Sequence, residues 1–245
     1  MKKKTLLLAV LIMGLKISYA QQKDLPHFNQ FVDLAATAGS NQGTIAGSYV
    51  YNWRLGEKRK FEIGIRGRVT SYFGTKKDFI TAPAKLARTS TIPFLIVFAG
   101  QKEENFDTLN VQRPSVISFN FTGNMGYHLS ERLYAGLNID LIGFTVGKKT
   151  NAVFISNGVT TTEPDAKPAA FNALLTGDHD LGSLNSEFFL KYNINKQWSI
   201  RGIYQFIFIE YKTNTLKQVT ADGTENDRFR NKANTFGLGV SYSFK

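Results

Sequence analysis

The chain has 245 residues, 42% hydrophobic and 20% charged, with 20 Phe, 10 Tyr, no Cys and a formal net charge of +11. Without Cys there are no disulfides, thiolate metal sites, Cys nucleophiles or lipid-anchoring Cys, and 3 His leave little material for an imidazole metal centre. The basic excess would suit nucleic acid, but part of it belongs to a leader.

Residues 1–20 read as a secretory signal peptide. Lys2, Lys3 and Lys4 precede an apolar core from Thr5 to Leu15, and Ser18-Tyr19-Ala20 supplies the small-x-small cleavage pattern. Lys16 interrupts the run well short of the about 20 apolar residues that cross a bilayer as a helix. Removing the leader removes four lysines and no acid. An exported protein also meets no genomic nucleic acid.

From residue 21 to 245 the recurring pattern has period 2, in segments rich in aromatic and β-branched residues. Val32, Leu34 and Ala36 alternate around Asp33. Ile45, Tyr49, Tyr51 and Trp53 follow. Over 61–69, Phe61, Ile63, Ile65 and Val69 oppose Glu62, Arg66 and Arg68. A long link covers 74–113 and contains the apolar run Thr91–Gly100, where Pro93 argues against a central strand and 104–112 alternates poorly. Over 117–129, Ile117, Phe119, Phe121, Met125 and Tyr127 oppose Ser118, Asn120, Thr122 and Asn124. Over 133–141, Leu133, Ala135, Leu137, Ile139 and Leu141 oppose Tyr134, Asn138 and Asp140. The link 148–182 includes a Thr- and Pro-rich stretch, 160–168, expected to be mobile and exposed. Segments 188–194 and 198–208 alternate again, the link 213–231 follows, and Phe236, Leu238, Val240, Tyr242 and Phe244 end the chain.

Eight strands result, and their second face decides the class. It carries Ser, Thr, Asn, Gly and isolated charges rather than the Lys and Glu of a soluble sandwich, as the interior of a membrane barrel does. Connections switch between short (54–58, 130–131, 195–196) and long, and only the outer link at 39–43 is short. Short periplasmic turns and long outer loops alternate in this way in transmembrane barrels. The expected fold is all-β, a closed antiparallel eight-stranded transmembrane β-barrel with long extracellular loops. It would occupy 21–245 as one domain, integral to a bacterial outer membrane.

These features resemble the small OmpA/OmpX-like outer-membrane barrels, and more narrowly the porin-like barrel proteins common in Bacteroidota. The resemblance rests on the leader, the eight alternating strands and the last strand Phe236–Phe244, though Lys245 follows the terminal aromatic. It implies recognition by the barrel-assembly machinery, contact with outer-membrane lipid and lipopolysaccharide, and other envelope proteins as partners. It implies no nucleic acid and no cofactor.

Candidate chemistry is sparse. The inward faces bring Glu62, Arg66, Arg68, Asp140, Glu187, Lys191 and Arg201 into an interior only wide enough for side chains. Unpaired charges there would cost several kcal/mol, so an ionic plug is expected. A charged eyelet for anions is the functional alternative. His128-x-Ser130 with Asp140 has the composition of a hydrolytic triad, but its position in a periplasmic turn favours a strand-end residue, and no enzyme activity is expected. Asp178-His179-Asp180 reads as a polar turn. No catalytic, cofactor or metal residue is assigned. Ile92, Phe94, Leu95, Ile96, Val97 and Phe98 form a candidate docking patch in the longest loop. The expected function is a structural or interaction role through the outer loops. The alternatives are a component of a secretion or surface-assembly machine and a small pore for solutes or ions.

Overall fold

The computed structural model describes residues 26–92, 99–175 and 179–244. The leader expected at 1–20 and most of the candidate docking patch, Phe94, Leu95, Ile96, Val97 and Phe98, lie outside them. The strands are β1 (Phe28–Gly39), β2 (Gln42–Leu55), β3 (Phe61–Gly74), β4 (Lys77–Thr81), β5 (Thr108–Val111), β6 (Ser115–His128), β7 (Leu133–Val146), β8 (Thr150–Ser156), β9 (Val159–Pro168), β10 (Phe171–Ala173), β11 (Leu184–Asn193), β12 (Trp198–Lys212), β13 (Gln218–Val219), β14 (Glu225–Asn226) and β15 (Arg228–Ser243). A short α-helix, α1, covers Ala84–Ala87, and a 3-10 turn covers Glu103–Asn105.

Twelve strands form one antiparallel ring, in the order β1, β2, β3, β6, β7, β11, β12, β9, β8, β5, β4, β15 and back to β1. The pairing of β12 with β15 crosses it, from Trp198↔Tyr242 to Lys212↔Arg228. This hairpin divides the ring into a wall of eight long strands and a cap. The wall contains β1, β2, β3, β6, β7, β11, β12 and β15, the eight segments with the clearest alternation. The cap contains β4, β5, β8 and β9 with the ends of the hairpin: β9 pairs with Tyr211 and Lys212, and β4 with Phe229 and Arg230.

In the wall the usual distribution of polarity is inverted. On β3, Glu62, Arg66, Arg68 and Thr70 are buried, while Phe61, Ile63, Ile65, Val69 and Phe73 are exposed. Because side chains alternate strictly, one register choice sends every polar group to the same side. Inward glycines make room for inward rings. A Cβ on Gly126 would sit 2.1 Å from the Tyr134 hydroxyl oxygen, and one on Gly136 would sit 2.4 Å from the Phe189 ring.

Between β6 and β7 the register shifts, with Phe121 opposite Ile142 but Thr122 opposite Asp140. The extra residue, Leu141, is a bulge that reverses the alternation of β7. Leu141 and Ile142 both face outward, after which the even positions Phe144 and Val146 do so. The period seen over 133–141 therefore stops at the bulge, although the strand continues to Val146.

The cap corrects three expectations. The links 74–113 and 148–182 are not plain loops, because they contribute β4, β5, β8, β9 and β10. Thr108–Val111 is a strand despite its poor alternation, since Leu109 and Val111 are wholly buried. The 160–168 stretch is paired with β8 rather than loose. Its Thr160, Thr161 and Thr162 are exposed, but Glu163 and Ala166 are fully buried. What holds the cap is an apolar core of Phe79, Leu109, Val111, Phe154, Tyr211 and Phe229, continued by Tyr72 and Val116 at the tops of β3 and β6. The cap core thus sits on the polar interior of the wall.

Candidate functional site

The polar interior is built in layers, ascending from the end with the short turns. In the lowest layer, Glu62 on β3 accepts hydrogen bonds from Asn29 Nδ2 (3.0 Å to each oxygen), Asn52 Nδ2 (2.9 Å) and Arg54 Nε (2.8 Å). His128 Nε2 lies 2.7 Å from the same carboxylate. The His128 ring meets Tyr134 edge-on at 4.9 Å.

The next layer gathers three guanidinium groups around two carboxylates. Arg66 Nη2 is 3.0 Å from Asp33 Oδ2, and its Nη1 is 3.5 Å from Glu187 Oε2. Arg68 Nη2 is 2.6 Å from Glu187 Oε1. Arg201 lies 3.5 Å from Asp33 and 3.7 Å from Glu187. Asn138 also donates to Glu187 at 3.0 Å, and Ser241 donates to Asp33. These five ionic side chains come from β1, β3, β11 and β12, so the layer exists only when distant strands meet. Lys191 takes a different position. Its Nζ sits 4.0 Å from the Phe31 ring centroid and 4.8 Å from that of Tyr134, a cation–π environment. The Arg201 guanidinium likewise lies over Phe189 at 5.0 Å.

Above this, Asp140 is held by uncharged donors: Asn120 Nδ2 (2.7 Å), Thr122 Oγ1 (2.8 Å), and the backbone N (3.0 Å) and Nδ2 (2.8 Å) of Asn185. The side-chain oxygen of Gln205 accepts from Thr37, Thr44 and Thr235, closing the polar column below the cap core.

All seven charged residues expected inside are therefore buried, but they do not form one network. Arg66, Arg68, Arg201 and Glu187 meet. Glu62 belongs to a separate cluster with Arg54 and His128, Asp140 has only neutral donors within hydrogen-bond distance, and Lys191 rests on rings. Asp33, which completes the ionic layer, was visible only as a lone acid among Val32, Leu34 and Ala36. Asn29 and Asn52 carry no sequence signal that marks them as partners of Glu62.

His128, Ser130 and Asp140 do not come together as a nucleophile with its base and acid. His128 is the last residue of β6, a strand end as expected, and is buried with its ring turned to Glu62. The Ser130 hydroxyl accepts the backbone N–H groups of Arg132 and Leu133, and Asp140 is occupied elsewhere. Among the described residues no group of His and acids could hold a metal ion. His179 is exposed, and the neighbouring Asp178 lies outside the described residues. Of the candidate docking patch only Ile92 is described, at 57% exposure.

No family model matches the chain, and no curated protein matches it. Among solved structures, Neisserial surface protein A covers 89% of this chain and 98% of its own, at 11% identity and a TM-score of 0.38. The outer membrane protein Ail of Yersinia pestis, in a phospholipid bilayer nanodisc, covers 88% and 99% at 11% identity and a TM-score of 0.38. The toluene transporter TodX of Pseudomonas putida covers 89% and 79% at 10% identity and a TM-score of 0.23. At such low identity and superposition the likeness carries no argument for this chain.

Proposed function

We propose that this chain is an integral outer-membrane protein whose eight long strands cross the lipid as a closed barrel. Its charged interior acts as a plug, and its cap is the working surface outside the cell. The observation that carries this is the inverted wall. Leu238 (75%), Phe121, Phe236, Leu34 and Ile65 are exposed, while Arg66, Glu187 and Arg201 are buried behind them. A continuous apolar face of this extent has no place in water. In lipid it is what a ring with every backbone group paired requires. Trp53, Tyr127, Tyr192 and Trp198 are exposed near the end with the short turns, as a girdle at the inner membrane–water interface would be. That end then faces the periplasm, and the leader belongs to the same proposal.

The layered side chains favour a structural or interaction role over a pore. In planar bilayers the folded protein should give little or no steady current. Large, steady single-channel steps from the unmodified chain would remove the plug and favour a small pore.

A further inference from the structure

The hairpin of β8 and β9 carries an open strand edge. Its turn, Asn157-Gly158, has φ of 48° and 77°, the two-residue type I′ geometry. Ser156 and Val159 flank that turn as a hydrogen-bonded pair, and by alternation so do Phe154 and Thr161. Thr160 and Thr162 therefore direct their backbone N–H and C=O away from β8. On that side β9 meets β12 only at Lys167↔Lys212 and Pro168↔Tyr211. Beyond Lys212 the chain leaves for the other side of the cap, where Gln218 accepts from the Thr81 hydroxyl on β4 at 3.0 Å. Among the described residues no strand pairs with Thr160 or Thr162 on the open side.

Open edges template strand addition, and proteins normally blunt them with lysine, proline or a bulge. Here the blunting begins only at Pro164, where the register with β8 also shifts, between Glu163 and Ala166. Val159, Thr160, Thr161 and Thr162 are uncharged, β-branched and all exposed. Consecutive exposure leaves both faces of this stretch uncovered, in residues that favour strands.

The symmetry of the edge selects its occupant. Laid antiparallel on a second copy of itself, Thr161 faces its own counterpart, and Thr160 faces Thr162 of the other copy. The outer pairs exchange both backbone hydrogen bonds, and the central pair is the closer, non-bonded kind. Every one of these cross-strand pairs is Thr with Thr, whose hydroxyls hydrogen-bond, and no charge meets its like. A strand of another sequence would take the backbone bonds without this match. Direction matters as well. β9 descends from the turn to Pro168, which packs beside Gly147 just above the top of β7. Antiparallel pairing of two such strands sets their walls at opposite ends of the joined sheet.

We propose that the β9 edge pairs with the same edge of a second copy and so joins caps that stand on facing membranes. The pairing rests on the hairpin, and the facing membranes rest on the placement proposed above. A contact this short lies far below the about 1,200 Å² of a stable interface, so it is weak singly. Many copies on two surfaces would hold them together by multiplicity.

The test uses the full mature chain inserted, cap outward, into two sets of phosphatidylcholine vesicles with different fluorophores. Vesicles carrying the unmodified chain should cluster about ten-fold more than protein-free ones. Thr161→Lys in both sets, or Thr161→Glu in both, should lose that gain about ten-fold, because like charges then face each other at the central pair. Mixing a Thr161→Lys set with a Thr161→Glu set should restore it. The same changes at Val219, exposed on β13, should leave clustering as it was. The heat-modifiable shift in gel mobility checks that each variant is folded. Dispersed vesicles with the unmodified chain, clustering that both Thr161 variants keep, or a mixed set that stays dispersed would each overturn the proposal. A chain that inserts and does not cluster removes the pairing alone. One that does not insert removes the membrane placement, and the contact between membranes with it.

Discussion

At the residue scale the interior depends on Glu187. Three guanidinium groups lie within 3.7 Å of its carboxylate, whereas Asp33, the other carboxylate of the layer, reaches two of them, Arg66 and Arg201. Glu187→Ala would leave Arg68 buried with its ion-pair partner gone. The expected loss is about 3–5 kcal/mol, the cost of breaking a buried pair from one side. Adding Arg68→Ala should recover part of that loss, because it removes the stranded charge. A double-mutant cycle by urea unfolding in lipid vesicles reads the coupling, and strictly additive losses would show that the contact is not energetically meaningful. That charges line the interior was legible from Glu62, Arg66 and Arg68 on one face of an alternating segment. Who pairs with whom was not. Pairing depends on which strands stand opposite across the ring, and period 2 carries no information about that. Asp33 shows the limit, since its partners are 33 and 168 residues away in sequence, on β3 and β12.

At the scale of elements, each long strand of the wall has a polar buried face and an apolar exposed one, and its sequence records them in alternate positions. If the exposed face lies in lipid, as proposed, that record should be depth-dependent. Phe121, mid-strand on β6, is 67% exposed, and Phe73 stands at the top of β3. Phe121→Arg should cost about 2–4 kcal/mol and Phe73→Arg about 0–1, the gradient expected from midplane to interface. Equal costs in a refolding series would argue against lipid on this face. A change at Asn120 is no longer a mild comparison, because Asn120 is buried and donates to Asp140 at 2.7 Å. The cap strands were illegible for the converse reason. β4 and β5 have only five and four residues, and their buried positions Phe79, Leu109 and Val111 are too few to establish a period. Their stability comes from the shared core rather than from the strand itself. Leu109→Ala should therefore cost about 2–5 kcal/mol, but locally. Hydrogen exchange should quicken in β4, β5, β8 and β9 while the β2–β3 amides stay protected. Uniform loss of protection would mean that wall and cap unfold as one unit.

At the scale of the whole molecule, two kinds of interior are stacked within one chain. The wall is polar inside and apolar outside, and the cap, with its buried apolar core, has the ordinary order of a soluble protein. Together they would place a lipid-soluble half beneath a water-soluble half, joined by a hairpin that belongs to both. That shared hairpin has a consequence for variation. Outer loops are usually the part of a barrel free to change, because they hang from strands that do not depend on them. Here the cap's core includes Tyr211 and Phe229, and the same two strands run down to Trp198 and Tyr242 in the wall. A substitution in the cap core thus pulls on the frame that holds the wall strands, and selection on one is felt by the other. Freedom to diverge is left to the tips. At Asn157-Gly158 and Gly223 the backbone turns through positive φ, and the glycines have open space around them. Under pressure to alter its exposed surface, a lineage of such proteins would change these tips first and keep the body of the cap.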